Sequence, residues 1–232
     1  MSDTFQKYNG SVQTKLDNFE KYVRRQTLAR FLARYELFKL QAKIKGCIIE
    51  CGVHNGGGLF AWAKLSAALE PFALDRRIFG FDTFEGFPEI SKKDERSEAN
   101  KDLKIGGFSS AQGVLEEIND LIKEYDDNRF LNQFQKIFIV KGDATKTIPQ
   151  FIEEHKYLLI SLLFMDFDLY EPTKVALEYF LPRMCKGAVL VFDEVNNPWW
   201  PGETAALLET LDLKNYKICR FPFDPNIAYI IL

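Results

Sequence analysis

The sequence predicts an α/β fold: a Rossmann-like, doubly wound, mostly parallel seven-stranded sheet with a C-terminal antiparallel hairpin and an N-terminal helical extension. Two observations carry this prediction. Short apolar segments alternate with helical patterns along most of the chain, as in repeated strand–helix–strand units. The last two apolar segments are joined by a connection too short for a parallel crossover. We expect residues 1–45 to form the helical extension and residues 46–232 the main domain.

Length and composition are those of an ordinary globular domain. The chain has 232 residues, of which 47% are hydrophobic and 27% charged, and its formal net charge is −3. Because basic residues are mixed with acids and form no patch, we expect no nucleic-acid partner. No apolar run approaches the roughly 20 residues that span a bilayer, and the N-terminus lacks the pattern of a signal peptide. We therefore expect no membrane association.

The four cysteines, Cys47, Cys51, Cys185 and Cys219, lack the CxxC spacing of a zinc site. We interpret them as reduced thiols, most of them buried in strand-like segments. Such usage is typical of a cytoplasmic protein, and this is the location we predict.

A helical pattern runs from Phe19 to Lys45, after a polar segment that we expect to be loose. Gly46 is a suitable residue to end this helix. Two interpretations stay open: the helix covers an edge of the core, or it forms the substrate side of a site or the surface of a homodimer. The predicted apolar residues are Leu28, Phe31, Leu32, Tyr35 and Phe38, with Arg24, Arg25, Arg30 and Arg34 on other faces.

The stretch Lys45–Gly58 is the one around which we expect the fold to be organised. A short apolar strand ends in the acid Glu50, and a glycine-rich turn then leads into the helical run Leu59–Leu69. Glycines in such a turn let a ligand approach the backbone at the helix N-terminus. The stretch therefore predicts a binding site for a small polar or anionic ligand.

The remaining elements follow in chain order. Thr83–Ser110 is a long polar connection with charges clustered at 92–96, and loops of more than about 15 residues are usually lids or disordered segments. A capping box of Ser109 and Gln112 predicts the start of an amphipathic helix. Later helices are predicted over Ile148–His155, Thr173–Leu181 and Thr204–Leu211, and strands over Arg77–Asp82, Lys136–Lys141, Leu158–Met165, Gly187–Phe192, Tyr216–Phe221 and Ile227–Leu232.

Acidic residues follow the predicted parallel strands where each strand ends. Since the carboxyl ends of parallel strands meet at one edge of a sheet, these acids should converge on one crevice. An acid at the end of the second strand, here Asp82, accepts hydrogen bonds from ribose hydroxyls in nucleotide-binding folds, and Asp143 is within reach of an adenine. The acids at strand ends are Glu50, Asp82, Asp143, Asp166, Asp193 and Glu194.

Asp166, Asp193 and Glu194 close adjacent central strands. Carboxylates held side by side repel one another unless they are protonated or bridged by a cation. Oxygen ligands without a nearby histidine favour Mg²⁺ over zinc or iron. We therefore predict a magnesium site formed by these three acids.

Five motifs, spread in order over residues 24–232, give the chain its resemblance to a known family. The sequence resembles the class I S-adenosylmethionine-dependent methyltransferases, and more narrowly the macrocin and mycinamicin sugar O-methyltransferases. It departs from them at Phe167, where glycine is common, and at Glu194, where a second aspartate is common. The motifs are Ile49–Gly57, Gly80–Pro88, Met165–Thr173, Val191–Glu194 and Pro201–Glu203.

The resemblance implies roles at matching positions. Asp166, Asp193 and Glu194 would bind Mg²⁺, and either Asp166 or Asp168 would accept the proton of the attacked hydroxyl. His54 and His155 are weaker candidates for this base. The residues expected to bind S-adenosylmethionine are Glu50, Gly52, Gly56, Asp82, Thr83, Asp143 and Ala144.

The activity implied is Mg²⁺-assisted methylation of a hydroxyl on a sugar, glycoside or similar vicinal diol. Two alternative activities are compatible with the same fold. A nicotinamide dehydrogenase is disfavoured because the turn lacks GxGxxG spacing. A small-molecule or S-adenosylmethionine-binding protein of the same fold without this catalysis remains the main alternative. Trp199 and Trp200 are either a platform for a sugar ring or packing residues.

Overall fold

The structure, a computed structural model, describes residues 2–95 and 100–232. It contains a seven-stranded sheet in the order β3-β2-β1-β4-β5-β7-β6. β1 to β5 are parallel, and β7 is antiparallel to both β5 and β6, so the predicted fold class is confirmed. The strands are β1 (Cys47–Cys51), β2 (Ile78–Asp82), β3 (Ile137–Lys141), β4 (Ile160–Met165), β5 (Met184–Phe192), β6 (Cys219–Phe221) and β7 (Asp224–Ile231).

Helices cover both faces of this sheet. Leu163 and Met165 of β4 belong to a buried cluster with α6, α7 and α8, whereas Leu162 and Phe164 belong to a second cluster with α3, α4 and α5. The alternation explains why β4 is apolar throughout, since both of its faces are buried. The helices are α1 (Ser2–Lys7), α2 (Val12–Leu16), α3 (Arg25–Gln41), α4 (Gly57–Leu69), α5 (Val114–Asp127), α6 (Ala144–Glu154), α7 (Tyr170–Phe180) and α8 (Pro201–Thr210).

The N-terminal helix differs from its prediction in length and in buried face. α3 ends at Gln41 because the guanidinium of Arg76 donates hydrogen bonds to carbonyls of the following turn, including Ala42 O at 3.2 Å and Ile44 O at 3.0 Å. Gly46 is therefore not a helix cap. Its φ is +142°, and a Cβ there would overlap the backbone of β4. The buried residues of α3 are Ala33, Leu37, Phe38 and Gln41, whereas Phe31 and Leu32 are 38% and 43% exposed.

Other element boundaries also differ from prediction. Two short helices lie within the first 17 residues, where we expected loose chain, and Phe19–Lys21, where we expected the long helix to begin, forms a separate 3₁₀ turn. α5 begins at Val114 behind Gly113, whose φ is +85°, so the capping box at Ser109 does not form. α6 begins at Ala144, earlier than predicted, because the Asp143 side chain caps it.

Within the described ranges, no helix has the length and apolar character needed to cross a bilayer. Cys47 and Cys51 are buried free thiols, Cys219 is partly exposed, and Cys185 is exposed, so burial was predicted correctly for two of the four cysteines. The charged cluster at 92–96 is described only as far as Glu95, because Arg96 lies outside the described residues.

Candidate active site

A cavity of about 330 Å³ opens at the carboxyl ends of β1 to β5. We call Gly52, Asp82, Thr83, Asp143 and Ala144 its glycine side. We call Asp166, Asp168, Asp193 and Glu194 its acid side. All nine residues line the cavity, so the predicted convergence of strand-end acids is largely observed, with Glu50 the exception.

The backbone of the glycine side is packed closely against the acid side. Gly52 has φ +92°, and a Cβ there would overlap the carbonyl oxygen of Asp166. The Asp166 amide donates to Cys51 O at 2.8 Å, which extends the β1–β4 pairing into the cavity. Only glycine accommodates this approach, and it brings the turn after β1 next to the acid that follows β4.

Asp82 is held by two backbone amides. The amide of His54 donates to its Oδ2 at 2.7 Å, and the amide of Phe84 donates to its Oδ1 at 2.6 Å. Each carboxylate oxygen has a second lone pair available for another donor. The side chain is therefore fixed in orientation and still able to accept hydrogen bonds from a ligand.

Asp143 is the N-cap of α6. Its Oδ1 accepts hydrogen bonds from the Thr145 amide at 3.0 Å and the Thr145 hydroxyl at 2.7 Å, and Lys146 pairs with it at 2.9 Å. Burial acts to raise the pKa of Asp143, but these partners outweigh it and the pKa is lowered. The carboxylate thus stays ionised, and Ala144 begins the helix beside it.

Glu50 and Gly56, both predicted to bind the cofactor, do not line this cavity. Glu50 is 1% exposed and lies 3.8 Å from the guanidinium of Arg34. Burial raises the pKa of Glu50 to about 8, and the charge of Arg34 only partly offsets it. Gly56 has φ +82° and caps α4, so its observed role is to begin that helix. Cofactor contact by either residue stays a prediction.

The carboxylates of Asp166 and Asp168 have no hydrogen-bond or ion-pair partner among the residues described. Burial raises the pKa of Asp166 well above its ordinary value, and the charges of Asp193 and Asp168 add to the effect. Burial likewise raises the pKa of Asp168 to about 8, with Glu194 and Asp193 contributing. The negative charge of the acid side is thus poorly compensated.

Asp193 is paired with an arginine that we did not predict as a site residue. Arg30 of α3 pairs with Asp193 through its Nη1 and with Asp224, at the start of β7, through its Nε at 2.9 Å. Burial raises the pKa of Asp193 even though Arg30 opposes the shift. Burial also raises the pKa of Glu194, whose Oε2 accepts a hydrogen bond from Asn197.

Glu203, from the first turn of α8, orients the acid side without lining the cavity. It is fully buried, and its two oxygens accept hydrogen bonds from the amides of Asp168 at 3.3 Å and Glu194 at 3.1 Å. One side chain therefore links the loops that follow β4 and β5. Burial, together with the charge of Asp168, raises the pKa of Glu203 well above its ordinary value.

Three aromatic rings form another part of the cavity lining, which we call the aromatic cluster. The ring centroids of Phe87, Phe108 and Trp200 lie between 5.4 and 5.9 Å apart. Trp199, by contrast, is 49% exposed and does not line the cavity. Only Trp200 of the predicted tryptophan pair is therefore positioned to meet a ligand in the cavity.

The connection between β2 and α5 supplies two of these rings and is fixed to the far side of the cavity. Asp94, buried in this connection, accepts a hydrogen bond from the Tyr170 amide at 2.6 Å, at the N-terminus of α7. Lys93 donates to the Tyr170 hydroxyl at 2.8 Å. The predicted role of the connection as a lid stays a prediction.

The two histidines lie in different places. His54 lines the cavity in the turn after β1, with its amide on Asp82. His155 stacks on Phe151 with centroids 4.0 Å apart and is not part of the cavity lining. The geometry therefore gives no reason to prefer either histidine to Asp166 or Asp168 as the base. His155 lies outside the cavity lining.

The acid side has the ligand types of a Mg²⁺ site, but its side chains are not in a coordination arrangement. In the parts of the chain that the structure describes, no three His, Cys, Asp or Glu side chains are arranged to hold a metal ion. The donors are nevertheless carboxylates, which Mg²⁺ prefers, and those of Asp166 and Asp168 lack partners within these ranges. The residues present fit a hard divalent cation, and metal binding stays a prediction.

Sequence reasoning missed Arg30, Arg34, Phe108 and the orienting role of Glu203. A signal for the arginines was present. Arg30 and Arg34 lie on the same helical stripe as the buried residues Leu37 and Gln41, at spacings of four, three and four. Arginines on a buried stripe indicate acidic partners in the interior.

The sheet order, the glycine turn after β1 and the acid at the end of β2 together define a Rossmann-like fold of the methyltransferase type. Similarity to solved structures agrees. The crystal structure of CalS11, calicheamicin methyltransferase, has a TM-score of 0.90 at 32% identity and covers 96% of this chain and 87% of that chain. The apo structure of CalS11, described as a TDP-rhamnose 3′-O-methyltransferase, has a TM-score of 0.84 at 28% identity and covers 99% and 90%.

The chain belongs to the macrocin O-methyltransferase (TylF) family, whose model matches residues 23–205. A tetracenomycin rhamnosyl 4′-O-methyltransferase of Streptomyces olivaceus is 27% identical over 157 residues, or 65% of this chain and 53% of that protein. Mycinamicin III 3″-O-methyltransferase of Micromonospora griseorubida is 24% identical over 156 residues, or 67% and 57%. The matches span only about half the length of these curated relatives.

Proposed function

We propose that this protein transfers a methyl group from S-adenosylmethionine to a hydroxyl of a sugar, a glycoside or a similar vicinal diol, with Mg²⁺ bound at the acid side. The observation that carries the proposal is that one cavity is lined by both a fixed glycine side and a poorly compensated acid side. Membership of the family supports the reaction. The names of two relatives, which mention rhamnosyl and TDP-rhamnose groups, support a sugar acceptor.

The glycine side binds the cofactor in this proposal. The carboxylate of Asp82 accepts hydrogen bonds from the two ribose hydroxyls with its remaining lone pairs, while Asp143 and Ala144 flank the adenine. Gly52 and Asp166 line the cavity next to each other, and the sulfonium end of the cofactor would lie beside them. When bound, S-adenosylmethionine supplies the electrophilic methyl group.

The acid side binds the metal and the reacting hydroxyl. Asp166, Asp193 and Glu194 are the proposed ligands, because their carboxylates lie together and repel one another without a cation. When bound, Mg²⁺ would lower the pKa of the acceptor hydroxyl and fix its orientation. Glu203 keeps the backbone of Asp168 and Glu194 in position through the two amides it accepts.

Either Asp166 or Asp168 accepts the proton of the hydroxyl. Asp168 is the better candidate if Asp166 is a metal ligand, because its carboxylate lines the cavity and has no partner among the described residues. The aromatic cluster lines the same cavity and is suited to the apolar face of a sugar ring. Methyl transfer needs the hydroxyl and the sulfonium in line, and binding of the two molecules at the two sides of one cavity would favour this arrangement.

We further propose that the protein forms a homodimer and is located in the cytoplasm. Apolar side chains on α2, on the 3₁₀ turn and on the outer face of α3 are exposed, which supports a contact between two copies through the N-terminal segment. Light scattering on the purified protein tests the dimer, and cell fractionation tests the location. The exposed residues are Val12, Leu16, Phe19, Phe31 and Leu32.

A methyl-transfer screen tests the function directly. The protein is incubated with S-adenosylmethionine carrying a labelled methyl group and with rhamnosides, nucleotide sugars and catechols, with Mg²⁺ and with EDTA. We expect label in a sugar product, and more of it with Mg²⁺. Asp166→Asn should abolish the Mg²⁺ stimulation, whereas Asp120→Asn, a change at an exposed position on α5, should not.

Cofactor binding without methylation of any diol would instead favour the alternative, a binding protein of the same fold. Absence of S-adenosylmethionine binding in calorimetry would contradict the proposed methyl transfer.

A further inference from the structure

Arg30 is a cation in contact with the acid side that the proposed reaction does not use. Arg30 lies in α3, outside the strands and turns that carry the other site residues. It is the one arginine or lysine that forms an ion pair with the acid side, within the described ranges. Its partner there, Asp193, is also a proposed metal ligand.

The two carboxylates that Arg30 joins have unequal surroundings. Asp224 is 3% exposed, and its Oδ1 accepts hydrogen bonds from the amides of Asn226 at 3.1 Å and Ile227 at 3.2 Å. Its Oδ2 remains for the Arg30 Nε, at 2.9 Å. Asp193 accepts hydrogen bonds from no described side chain other than Arg30. The Asp224 carboxylate is therefore fixed by backbone amides as well as by Arg30, whereas Arg30 is the one described side chain that donates to Asp193.

The ion pair between Arg30 and Asp193 lies at the proposed metal site. The acid side offers ligands of the right type, yet no three of them are arranged for a metal ion among the described residues. Arg30 approaches Asp193 from α3, and its charge lowers the pKa of that carboxylate against the effect of burial. A guanidinium in contact with Asp193 and a divalent cation bound to the same carboxylate would repel each other, which weakens binding of the cation.

We propose that Arg30 is a built-in counterion of the acid side, which bridges Asp193 and Asp224 in the metal-free protein and gives up Asp193, but not Asp224, when a divalent cation binds. The proposal rests on the proposed Mg²⁺ site. It makes α3 a positioning element of the active site and gives Asp224 the role of retaining the displaced guanidinium.

Two variants separate this role from ordinary packing, because they should change metal affinity in opposite directions. Arg30→Gln removes the competitor of the metal, so Mg²⁺ and Mn²⁺ should bind about tenfold more tightly or better. Asp224→Asn keeps an oxygen for the two amides but removes the charge that retains Arg30, so both cations should bind more weakly. Arg25→Gln, an exposed arginine of the same helix, is the matched control and should change neither affinity.

Calorimetric titration of the full-length protein with Mg²⁺ and with Mn²⁺ provides the measurement. Thermal unfolding in EDTA and in Mg²⁺ is a second readout. Arg30→Gln should lower the Tm in EDTA, since it leaves two carboxylates without their counterion, and Mg²⁺ should recover more of that loss than it adds to the wild type.

Weaker or unchanged metal binding by Arg30→Gln would overturn the proposal. Should Arg30→Gln not fold, unchanged or tighter binding by Asp224→Asn would overturn it equally. If the wild-type protein binds metal, the methyltransferase proposal stands whichever result the two variants give. Absence of metal binding by every protein, with methyl transfer proceeding in EDTA, would overturn both the counterion role and the Mg²⁺ part of the proposed function.

Discussion

Both sides of the cavity carry carboxylates at strand ends, but they differ in how well the negative charge is stabilised. On the glycine side, Asp82 accepts two backbone amides and Asp143 caps a helix, so charge is stabilised by donors that the fold supplies. On the acid side, burial and mutual repulsion raise the pKa of Asp166 and Asp168, and few donors oppose the effect. A fixed acceptor suits recognition of a neutral hydroxyl. A cluster of carboxylates whose charge is poorly compensated is suited to bind a cation or a proton.

The largest effect is expected from the acid side. Asp166→Asn should lower kcat by at least about a hundredfold, because it removes a metal ligand next to the reacting hydroxyl. Its affinity for S-adenosylhomocysteine should stay near that of wild type. In EDTA at pH 8 its Tm should rise by about 2 °C or more, since one repelling carboxylate is gone. Steady-state kinetics, calorimetry and thermal unfolding check the three parts, and unchanged kcat would contradict the contrast between the two sides.

The glycine side should show the reverse pattern. Asp82→Asn keeps one oxygen for the amides of His54 or Phe84 but loses charge-assisted acceptance of the ribose hydroxyls. The Kd for S-adenosylhomocysteine should rise about tenfold, with a much smaller change in kcat at saturating cofactor. Glu85→Gln, at an exposed position of the same loop, is the control for calorimetry. A loss confined to kcat would show that Asp82 acts in catalysis, together with the acid side, and not in cofactor binding.

The aromatic cluster should affect only the acceptor. Trp200→Ala removes a ring that lines the cavity, and the KM for the sugar acceptor should rise about fivefold while cofactor affinity stays constant. The neighbouring Trp199→Ala does not alter the cavity lining and serves as the control. Equal effects of the two substitutions would mean that the cluster acts through folding of the loop.

The smallest effect is expected at Glu50, which is buried and does not line the cavity. Its pKa is raised by burial to about 8, above the ordinary value of 4.5, so it favours the folded state below pH 4.5 and this contribution is lost as the pH rises through 8. Glu50→Gln removes the dependence. The Tm of the variant relative to wild type should therefore rise between pH 5 and pH 9 by a few degrees, about 2–4 °C for each kcal/mol. Parallel Tm curves over this range would exclude a raised pKa at Glu50.

The sequence allowed the sheet, the direction of its strands and the acids that line the cavity to be predicted, because these depend on local patterns. Apolar runs marked the strands, and the acids after them marked the edge where ligands bind in parallel sheets. Side-chain partners depend on packing between distant segments and could not be predicted in this way. Arg30 meets Asp193 only after α3 has docked on the sheet, 163 positions away in the chain.

Element ends were also beyond the sequence where a distant group decides them. α3 ends at Gln41 because Arg76 binds the carbonyls that follow it. Glu50 illustrates the same limit at the site. Its position at a strand end predicted an exposed ligand contact, yet the close packing of Gly58 and Arg34 around it leaves it buried.

Crystals grown with S-adenosylhomocysteine, a rhamnoside and Mn²⁺ would test the contrast between the two sides most directly. Anomalous scattering at the manganese edge locates the metal, and the density of the cofactor locates its ribose. We predict a manganese peak coordinated by Asp166, Asp193 and Glu194, with the ribose hydroxyls on Asp82. Cofactor bound at Asp82 with no manganese at the acid side, at saturating Mn²⁺, would contradict the division of the cavity into a cofactor side and a metal side.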